Sequence, residues 1–542
     1  MKKSRTLFKE IGASLLWVLV AIITTAVIGC GLIQAGTVQS RVFRLSTSEK
    51  KASELYDISY QKELHRQLKT LRSKAKYDEK NMLLIYNPYQ LNVQSMYAYF
   101  ETKQAAKVSY TIHVDDKKIK DFSQTLYNGT KEEYVKKHEY QLIGLVPGVE
   151  NKITFHIEYK NKKVKDKVIR FIPDQLRGTE KQILKSKAGD SSQKLSDGLY
   201  AVLAENKFMY YYDNDGMIRS EFPVLSYRAA NIVFSEGSMY YSISKNQIVE
   251  MNRLGRVTNV FSTGKYHLHH DYVFDGYGNL LILGTDPSAD SMEDRILELN
   301  VKTGKVRQIV DLADIFPDYY KKYKDNKKPD GEYDWMHLNT IQWVGDDSIV
   351  VSARETSAII KISNIYKKPK IEYMLSDESF WKKTKYKKLL YKKASDFRSQ
   401  TGQHTVTFED DGVLNDGKYY LHMFNNNIGK SYSRPDYDWN KYYDEITGHG
   451  TKGYRSYYYL YYVDETTRTY DLVNSYEVPY SGYVSSTQHY KGNHIVDSGQ
   501  AFLFGEYDST GKMIRQFELT KEGKYCYRVY KYDFDGFYFV SQ

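Results

Sequence analysis

The chain has 542 residues, of which 41% are hydrophobic and 15% aromatic, and its formal net charge is +11. This length predicts two to four domains rather than one. The positive charge does not indicate a nucleic-acid module, because residues 1–77 carry 14 Lys and Arg against 5 Asp and Glu, which leaves about +2 for the remainder.

A basic tip precedes an uncharged run from Ile11 to Ser40. Its centre, residues 13–33, is long enough to span a bilayer, and the positive-inside rule places the N-terminus in the cytoplasm and the rest of the chain outside. Two alternatives stay open. The run Val27-Ile-Gly-Cys30 resembles a lipobox, which would make Cys30 a lipid-carrying N-terminus, and a cleaved secretory signal is the other. We favour an uncleaved anchor within residues 1–46, and in all three cases the rest is exported to the extracellular side.

Residues 47–77 show apolar side chains at helical spacing with Lys and Arg between them, namely Leu55, Ile58, Leu64, Leu68 and Leu71. This pattern predicts an amphipathic helix, which we interpret as a stalk that lifts the body off the membrane. Its basic face could contact anionic lipid or simply be solvated, and both interpretations stay open.

Residues 78–173 contain six or seven short alternating segments separated by turn residues. This pattern predicts a small β-sandwich. The polar stretch that follows, residues 174–195, is typical of a linker.

From residue 196 to 542 we count six strand-rich units, which predict a six-bladed β-propeller. The units begin near Gly198, Ala230, His270, His337, His404 and Tyr483. Insertions in the fourth and fifth units, about residues 366–398 and 430–458, are expected to leave from blade edges and to roof the channel mouth.

Three histidines stand out within these units. His270, His337 and His404 are separated by 67 and 67 residues, and each opens a strand-like stretch followed by a hairpin. Because the first strand of every blade lines the central channel, we expect the three imidazoles to meet on the axis. A structural role for any one of them taken alone remains the competing interpretation.

Two more residues align with these histidines. Counting along the hairpins places Arg354 near the channel, level with Asn425, and the planar guanidinium donors of an arginine suit sulfate, phosphate or carboxylate. The alternative for Arg354 is a salt bridge between blades. We expect no metal at this site, because a cation lies beside the histidines and no Cys or compact His-x-His pair accompanies them. Of the neighbouring pair His269 and His270, we expect His270 to face the channel, since alternation points His269 to the other face.

Familiar catalytic signatures are missing from the sequence. There is no Gly-x-Ser-x-Gly elbow, which argues against a serine hydrolase. There is no phosphate-cradling Gly-x-x-x-x-Gly-Lys-Ser/Thr loop, which argues against a nucleotide-dependent enzyme. We therefore expect no cofactor.

Four short segments, in this order, resemble the bacterial aryl-sulfate sulfotransferases that use no nucleotide sulfate donor. They are His269-His-Asp271, Asp334-Trp-Met-His-Leu-Asn339, Val351-Ser-Ala-Arg354 and Gly402-Gln-His404. The resemblance covers the sandwich, with Asn87-Pro-Tyr89 near its start, and the whole six-unit body.

The resemblance implies a ping-pong transfer of a sulfuryl group from a phenolic sulfate ester to another phenol through a sulfohistidine. By motif, His404 matches the nucleophile, and His337, Arg354 and His270 match the groups that hold the sulfate and assist the leaving phenol. Asn339, Asn425 and His269 are predicted to bind substrate. The chain departs from the proteobacterial pattern in two ways, because it is predicted to be tethered where those enzymes are soluble and it lacks the cysteine pair that forms their disulfide near the site.

Two other functions stay open from the sequence. One is a non-catalytic cell-surface propeller that binds sulfated or anionic glycans, and the other is a hydrolase that passes sulfate to water. The expected partners are small phenolic sulfate donors, phenol acceptors and the membrane. The physiological donor and acceptor and the oligomeric state are not specified by the sequence.

Overall fold

The computed structural model describes residues 41–45, 50–226, 228–410, 412, 414, 416–443 and 454–541. The predicted anchor and Cys30 lie outside these residues, so the choice between anchor, lipoprotein and cleaved signal stays a prediction. Within the described ranges no helix is long and apolar enough to cross a membrane.

The first domain is a β-sandwich, as predicted. Its long central strand pairs with two neighbours through residues 95–101 and with two others through residues 106–113, so it belongs to both halves of the domain. The strands are β1 (Val42–Phe43), β2 (Leu83–Tyr86), β3 (Ser95–His113), β4 (Phe122–Thr125), β5 (Val135–Ile143), β6 (Asn151–Tyr159) and β7 (Val164–Phe171).

Two helices, α1 (Ala52–Leu55) and α2 (Ile58–Ser73), precede the second strand of this domain. Helix α2 begins at the N-cap Asp57, whose carboxylate accepts a hydrogen bond from Tyr60 N at 2.7 Å. Its apolar side chains Leu64 and Leu68 are fully buried against the sandwich. The segment expected to be a free stalk is therefore packed onto the body, because its apolar face meets protein rather than solvent.

The second domain is a six-bladed β-propeller, which confirms the prediction of its fold and blade number. From the inner strand outward, blade one consists of β33 (Cys526–Tyr532), β9 (Leu199–Ala204), β10 (Phe208–Tyr212) and β11 (Ile218–Pro223). Blade two consists of β12 (Ile232–Ser235), β13 (Ser238–Ser244), β14 (Gln247–Asn252) and β15 (Val257–Ser262). Blade three consists of β16 (His267–Phe274), β17 (Asn279–Thr285), β18 (Arg295–Asn300) and β19 (Val306–Asp311).

Blades four to six follow the same plan. Blade four consists of β20 (Leu338–Trp343), β21 (Ile349–Ala353), β22 (Ala358–Ser363) and β23 (Lys370–Leu375). Blade five consists of β25 (His404–Glu409), β26 (Lys418–Asn425), β27 (Ser456–Asp464), β28 (Thr469–Val478) and β24 (Lys392–Lys393). Blade six consists of β29 (Ser486–Tyr490), β30 (Asn493–Ser498), β31 (Leu503–Tyr507), β32 (Met513–Glu518) and β8 (Lys185–Ala188). Short helices in the connections are α3 (Leu312–Ile315), α4 (Pro317–Tyr323) and α5 (Glu378–Trp381), with 3-10 turns at Lys385–Leu389, Trp439–Lys441 and Gly499–Ala501.

The ring is closed from both ends of the domain. The last strand, β33, is the inner strand of blade one, and β8 is the outermost strand of blade six. Residues 185–188, which the sequence placed in the linker, therefore belong to the propeller. The two domains also share one apolar core, in which the C-terminal residues 534–539 pack with strands of the sandwich and of blades one and two.

Candidate active site

The inner strands are tied to one another by a repeated hydrogen bond. In blades three, four and five a side-chain oxygen of the inner strand accepts from a backbone N–H of the next blade: Asp271 from Ile341 at 3.2 Å, Thr340 from Val406 at 3.3 Å and Thr405 from Thr487 at 3.1 Å. The residues one before these, His270, Asn339 and His404, are thus equivalent. The interpretation that all three histidines share one repeat position is wrong, because His337 lies two residues ahead of its blade's equivalent position.

The backbone conformation at the start of the inner strands explains why His337 is displaced by two residues. The first hairpins of blades three and four shift register here, between Leu268 and Tyr272 and between Leu338 and Thr340. His270 and His337 take left-handed conformations, with φ of 50° and 52°. Such bulges re-aim side chains, and they are frequent next to active sites. His337 therefore reaches the channel by a turn of the backbone rather than by strand alternation.

His270 and His337 contact each other. Their ring centroids are 4.8 Å apart and their planes cross at 67°. Glu293 lies beside both, with its Oε2 2.8 Å from His337 Nδ1 and 3.8 Å from His270 Nδ1. His269 is also buried, and its Nδ1 lies 3.0 Å from that of His270. The structure thus groups both histidines of the pair with His337, and His270 is the nearer.

His337 carries a positive charge at neutral pH. Its Nδ1 donates to Asp334 Oδ2 at 2.6 Å, and Glu293 adds a second carboxylate. Burial alone would lower the pKa of His337, but the two carboxylates outweigh burial and raise that pKa to about 9. Burial opposes ionisation of Glu293, but His337 and His270 hold the pKa of this carboxyl well below its usual range. Because Nδ1 faces carboxylates, the Nε2–H of His337 is the proton available to a substrate.

Arg354 lies next to His337 because the hairpin of blade four continues past its strands. Arg354 N donates to His337 O at 3.2 Å, and Glu355 N donates to Met336 O at 3.1 Å. The guanidinium contacts Glu355 through Nη1 at 3.2 Å, while its buried Nε makes no hydrogen bond within the described structure. A buried cationic donor without an acceptor is costly, and it fits an anionic substrate group.

His404 has its tautomer fixed by two acceptors. Its Nδ1 lies 2.7 Å from Asn426 Oδ1 and 3.2 Å from Gly402 O. The Asn426 amide cannot turn over, since its Nδ2 donates to Ser481 O and Val484 O. Nδ1 therefore carries the proton and Nε2 keeps its lone pair. Burial, then the charge of Arg354, hold the pKa of His404 well below its usual range, so the ring is neutral at pH 7.

The two predicted asparagines hold the loop that presents His404. Asn339 Nδ2 donates to Gln403 O at 2.7 Å, and Asn425 Oδ1 accepts from Thr401 N at 2.9 Å. Asn425 was expected to be level with Arg354. The hairpin pairing instead makes Asn425 equivalent to Ala353, so that Asn426 is level with Arg354 and is the asparagine that contacts His404.

A fully buried ion pair lies behind the histidines. Arg528, on the closing strand β33, donates to Asp271 Oδ1 at 2.9 Å and to Asn339 O at 2.8 Å. The neighbouring Tyr527 hydroxyl donates to His270 O at 2.8 Å. The C-terminal strand thus fixes the backbone of two site-bearing blades, so the ring must close before the site is complete.

Residues that could bind a metal are present beside the histidines. Glu293 with His269 and His270, and Glu293 with Asp334 and His337, each place three ligand atoms within 4.8 Å of one another. The sequence argument against a metal overlooked these carboxylates. A metal ion at His337 would have to displace the proton that Nδ1 shares with Asp334 and Glu293.

Sequence reasoning missed Glu293, Asn426 and Arg528. Asp334 was missed as well, although its position three residues before His337 in the same motif could have indicated that it pairs with His337. Asn426 sits in the run Asn425-Asn-Asn427 at a strand end. Glu293 and Arg528 carry no local signal, because they reach the site only through the folded ring.

Two models of known protein families match this chain. A model described as arylsulfotransferase (ASST) matches residues 185–531, and a second, described as the arylsulfotransferase Ig-like domain, matches residues 83–171. The first match alone covers more than half of the chain. The chain belongs to the arylsulfotransferase family. This confirms the resemblance carried by the four motifs, identifies the sandwich as the Ig-like domain of the family, and supports aryl sulfotransferase activity.

The similar solved structures are only distantly related to this chain in sequence. A protein of unknown function from Bacteroides caccae is 12% identical with a TM-score of 0.37, over 61% of this chain and 98% of that one. A putative 6-phosphogluconolactonase from Bacteroides uniformis is 11% identical with a TM-score of 0.34, over 79% and 99%. Both likenesses are too weak to indicate a function. No curated protein shows significant similarity to the chain.

Proposed function

We propose that the protein moves a sulfuryl group from a phenolic sulfate ester to another phenol by a ping-pong mechanism, with His404 as the covalent carrier. The observation that carries the proposal is the division of charge among the histidines. His404 is a neutral imidazole with a defined lone pair, whereas His337 is an imidazolium held by two carboxylates.

The donor is bound through its sulfate oxygens. Arg354 offers a buried Nε–H without an acceptor, and His337 offers Nε2–H. Sulfuryl transfer resembles phosphoryl transfer in having a loose transition state whose peripheral oxygens keep negative charge, and fixed cations offset that charge.

In the first half-reaction the lone pair of His404 Nε2 forms a bond to sulfur as the bond from sulfur to the aryl oxygen breaks. The electron pair of that bond leaves on the phenol oxygen, which takes the proton from His337 Nε2. In the second half-reaction neutral His337 removes the proton of the acceptor phenol, whose oxygen bonds to sulfur as the nitrogen–sulfur bond breaks. General acid and base assistance of this kind contributes about 10²–10⁴-fold.

We further propose that this body faces the outside of the cell on a single N-terminal anchor. The charge asymmetry around Ile11 to Ser40 supports this orientation. Protease added to intact cells should remove the C-terminal body, and full protection of that body would contradict the orientation. Release of the protein by Cys30→Ala would favour the lipoprotein alternative.

A colour assay with p-nitrophenyl sulfate, run with and without added phenol, separates the candidate functions. Transfer predicts turnover that depends on phenol and yields phenyl sulfate. Release of sulfate without phenol would indicate a hydrolase, and release of no nitrophenol would indicate a glycan-binding propeller.

A further inference from the structure

A second histidine cluster lies at the seam between blades five and six. Glu409 ends β25, His422 lies in β26 and His489 lies in β29. Glu409 is five residues along the strand from His404, about 16 Å at the rise of an extended chain, so the cluster is separate from the candidate active site.

The cluster has the ligand types and spacing of a metal site. Glu409 Oε2 is 2.8 Å from His489 Nδ1, Glu409 Oε1 is 3.5 Å from His422 Nε2, and the three ligand atoms all lie within 4.8 Å of one another. An ion about 2.0–2.2 Å from each of its tetrahedral ligands separates them by roughly 3.4 Å.

The outer nitrogen of each histidine is already engaged. His422 Nδ1 lies 2.9 Å from Thr487 Oγ1, and His489 Nε2 is hydrogen-bonded to the Tyr458 hydroxyl. Metal-binding histidines almost always use their second ring nitrogen in this way, which fixes the ring and the tautomer. The two nitrogens that face Glu409 are thereby left for a ligand.

His422 supplies an independent observation. The residue is fully buried, and its Nε2 makes no hydrogen bond within the described structure. In the tautomer whose Nδ1–H donates to Thr487 Oγ1, the lone pair on Nε2 faces a carboxylate oxygen, and a cation between these two acceptors would satisfy both.

We propose that Glu409, His422 and His489 bind a divalent cation of the zinc class that staples blade five to blade six. Two imidazoles and one carboxylate are a donor set that zinc accepts. Glu409 and His489 are partly exposed, with side-chain exposures of 31% and 23%, so the ion has an entry path and room for a water as fourth ligand. The ion takes no part in sulfuryl transfer.

The test uses the purified full-length protein carrying a tag without histidines. Elemental analysis after exhaustive dialysis should find about one equivalent of zinc, and the stripped protein titrated with Co²⁺ should show the visible bands of tetrahedral cobalt. Chelation should lower the thermal unfolding midpoint and leave transfer activity at moderate temperature unchanged.

Variants locate the ion. His422→Gln and Glu409→Gln should each weaken Co²⁺ binding more than about 100-fold, and Thr487→Val should weaken it roughly 10- to 100-fold. If the buried His422→Gln does not fold, the partly exposed His489→Ala serves in its place. His113→Asn is the matched control, since His113 pairs with Asp121 at 2.7 Å on the sandwich without a second histidine, and it should keep full binding.

Two results would overturn the proposal. Absence of any bound metal and of any cobalt spectrum would mean that the cluster is only an ion pair. Loss of the metal in Glu293→Gln, with retention in His422→Gln, would assign the ion to the other histidine group.

Discussion

Replacing Asp334 by Asn tests whether His337 acts as a charged acid. Asparagine keeps a hydrogen-bond acceptor near His337 Nδ1 but removes the largest opposite charge. Raising the pKa of His337 from 6.5 to about 9 corresponds to about 3 kcal/mol in favour of the imidazolium. Without Asp334, burial and Arg354 pull this pKa down against Glu293 alone, and we expect it to fall by about two units.

The assay is the pH dependence of the nitrophenol burst from p-nitrophenyl sulfate. The wild-type burst rate should fall only above about pH 9, which is the alkaline limb of its pH profile. In Asp334→Asn this limb should move to about pH 7. At pH 8 the variant should be about 10-fold slower, and at pH 6 nearly normal. Glu332→Gln, an exposed carboxylate two residues earlier, is the control and should not move the limb.

The same change has a signature in stability. The pKa of His337 is raised by folding, so its contribution to the free energy of unfolding is present below about pH 6.5 and is lost as the pH rises through about 9. In Asp334→Asn the free energy of unfolding should fall less over this pH range. An equal fall in burst rate at pH 6 and pH 8, with the limb unmoved, would refute the assignment of His337 as the acid.

Three further substitutions test other parts of the site. Asn426→Leu removes the nearer of the two acceptors that fix the tautomer of His404 and should slow the burst about 100-fold with little change in KM, as single-turnover kinetics will measure. Arg354→Lys keeps the charge but loses the planar fork, and steady-state kinetics should show a KM for the sulfate donor at least about 10-fold higher. Arg528→Met leaves Asp271 buried and unpaired and should lower the free energy of unfolding by about 3–5 kcal/mol in a denaturant titration, and a second change of Asp271 to Asn should restore part of it.

The sequence predicted the architecture well because architecture depends on patterns that repeat. Alternating strands and turns recur in every blade, and they indicated six blades and a sandwich before them. The same alternation failed at the bulges, where His337 slipped two residues from its equivalent position and Asn426 was mistaken for Asn425. A local pattern records the side on which a residue points in a regular strand, but a left-handed residue changes that side.

Other features of the site depend on contacts that have no local record. Glu293 and Arg528 reach the histidines from other strands, and the linker sequence gave no sign that residues 185–188 would complete the last blade. The helix at Ile58–Ser73 was predicted from its apolar stripe. An apolar stripe requires an apolar partner but does not identify it, and here the partner is the Ig-like domain.

The most direct test of the account is to find the sulfuryl group on the enzyme. Protein treated with p-nitrophenyl sulfate without acceptor, quenched at high pH and digested, should carry the added mass on the peptide that contains His404, and His404→Asn should carry none and release no burst. His270→Asn should keep a trace of the modified peptide. The modification on His337 or His270, or its absence under single-turnover conditions with nitrophenol released, would contradict the proposed mechanism.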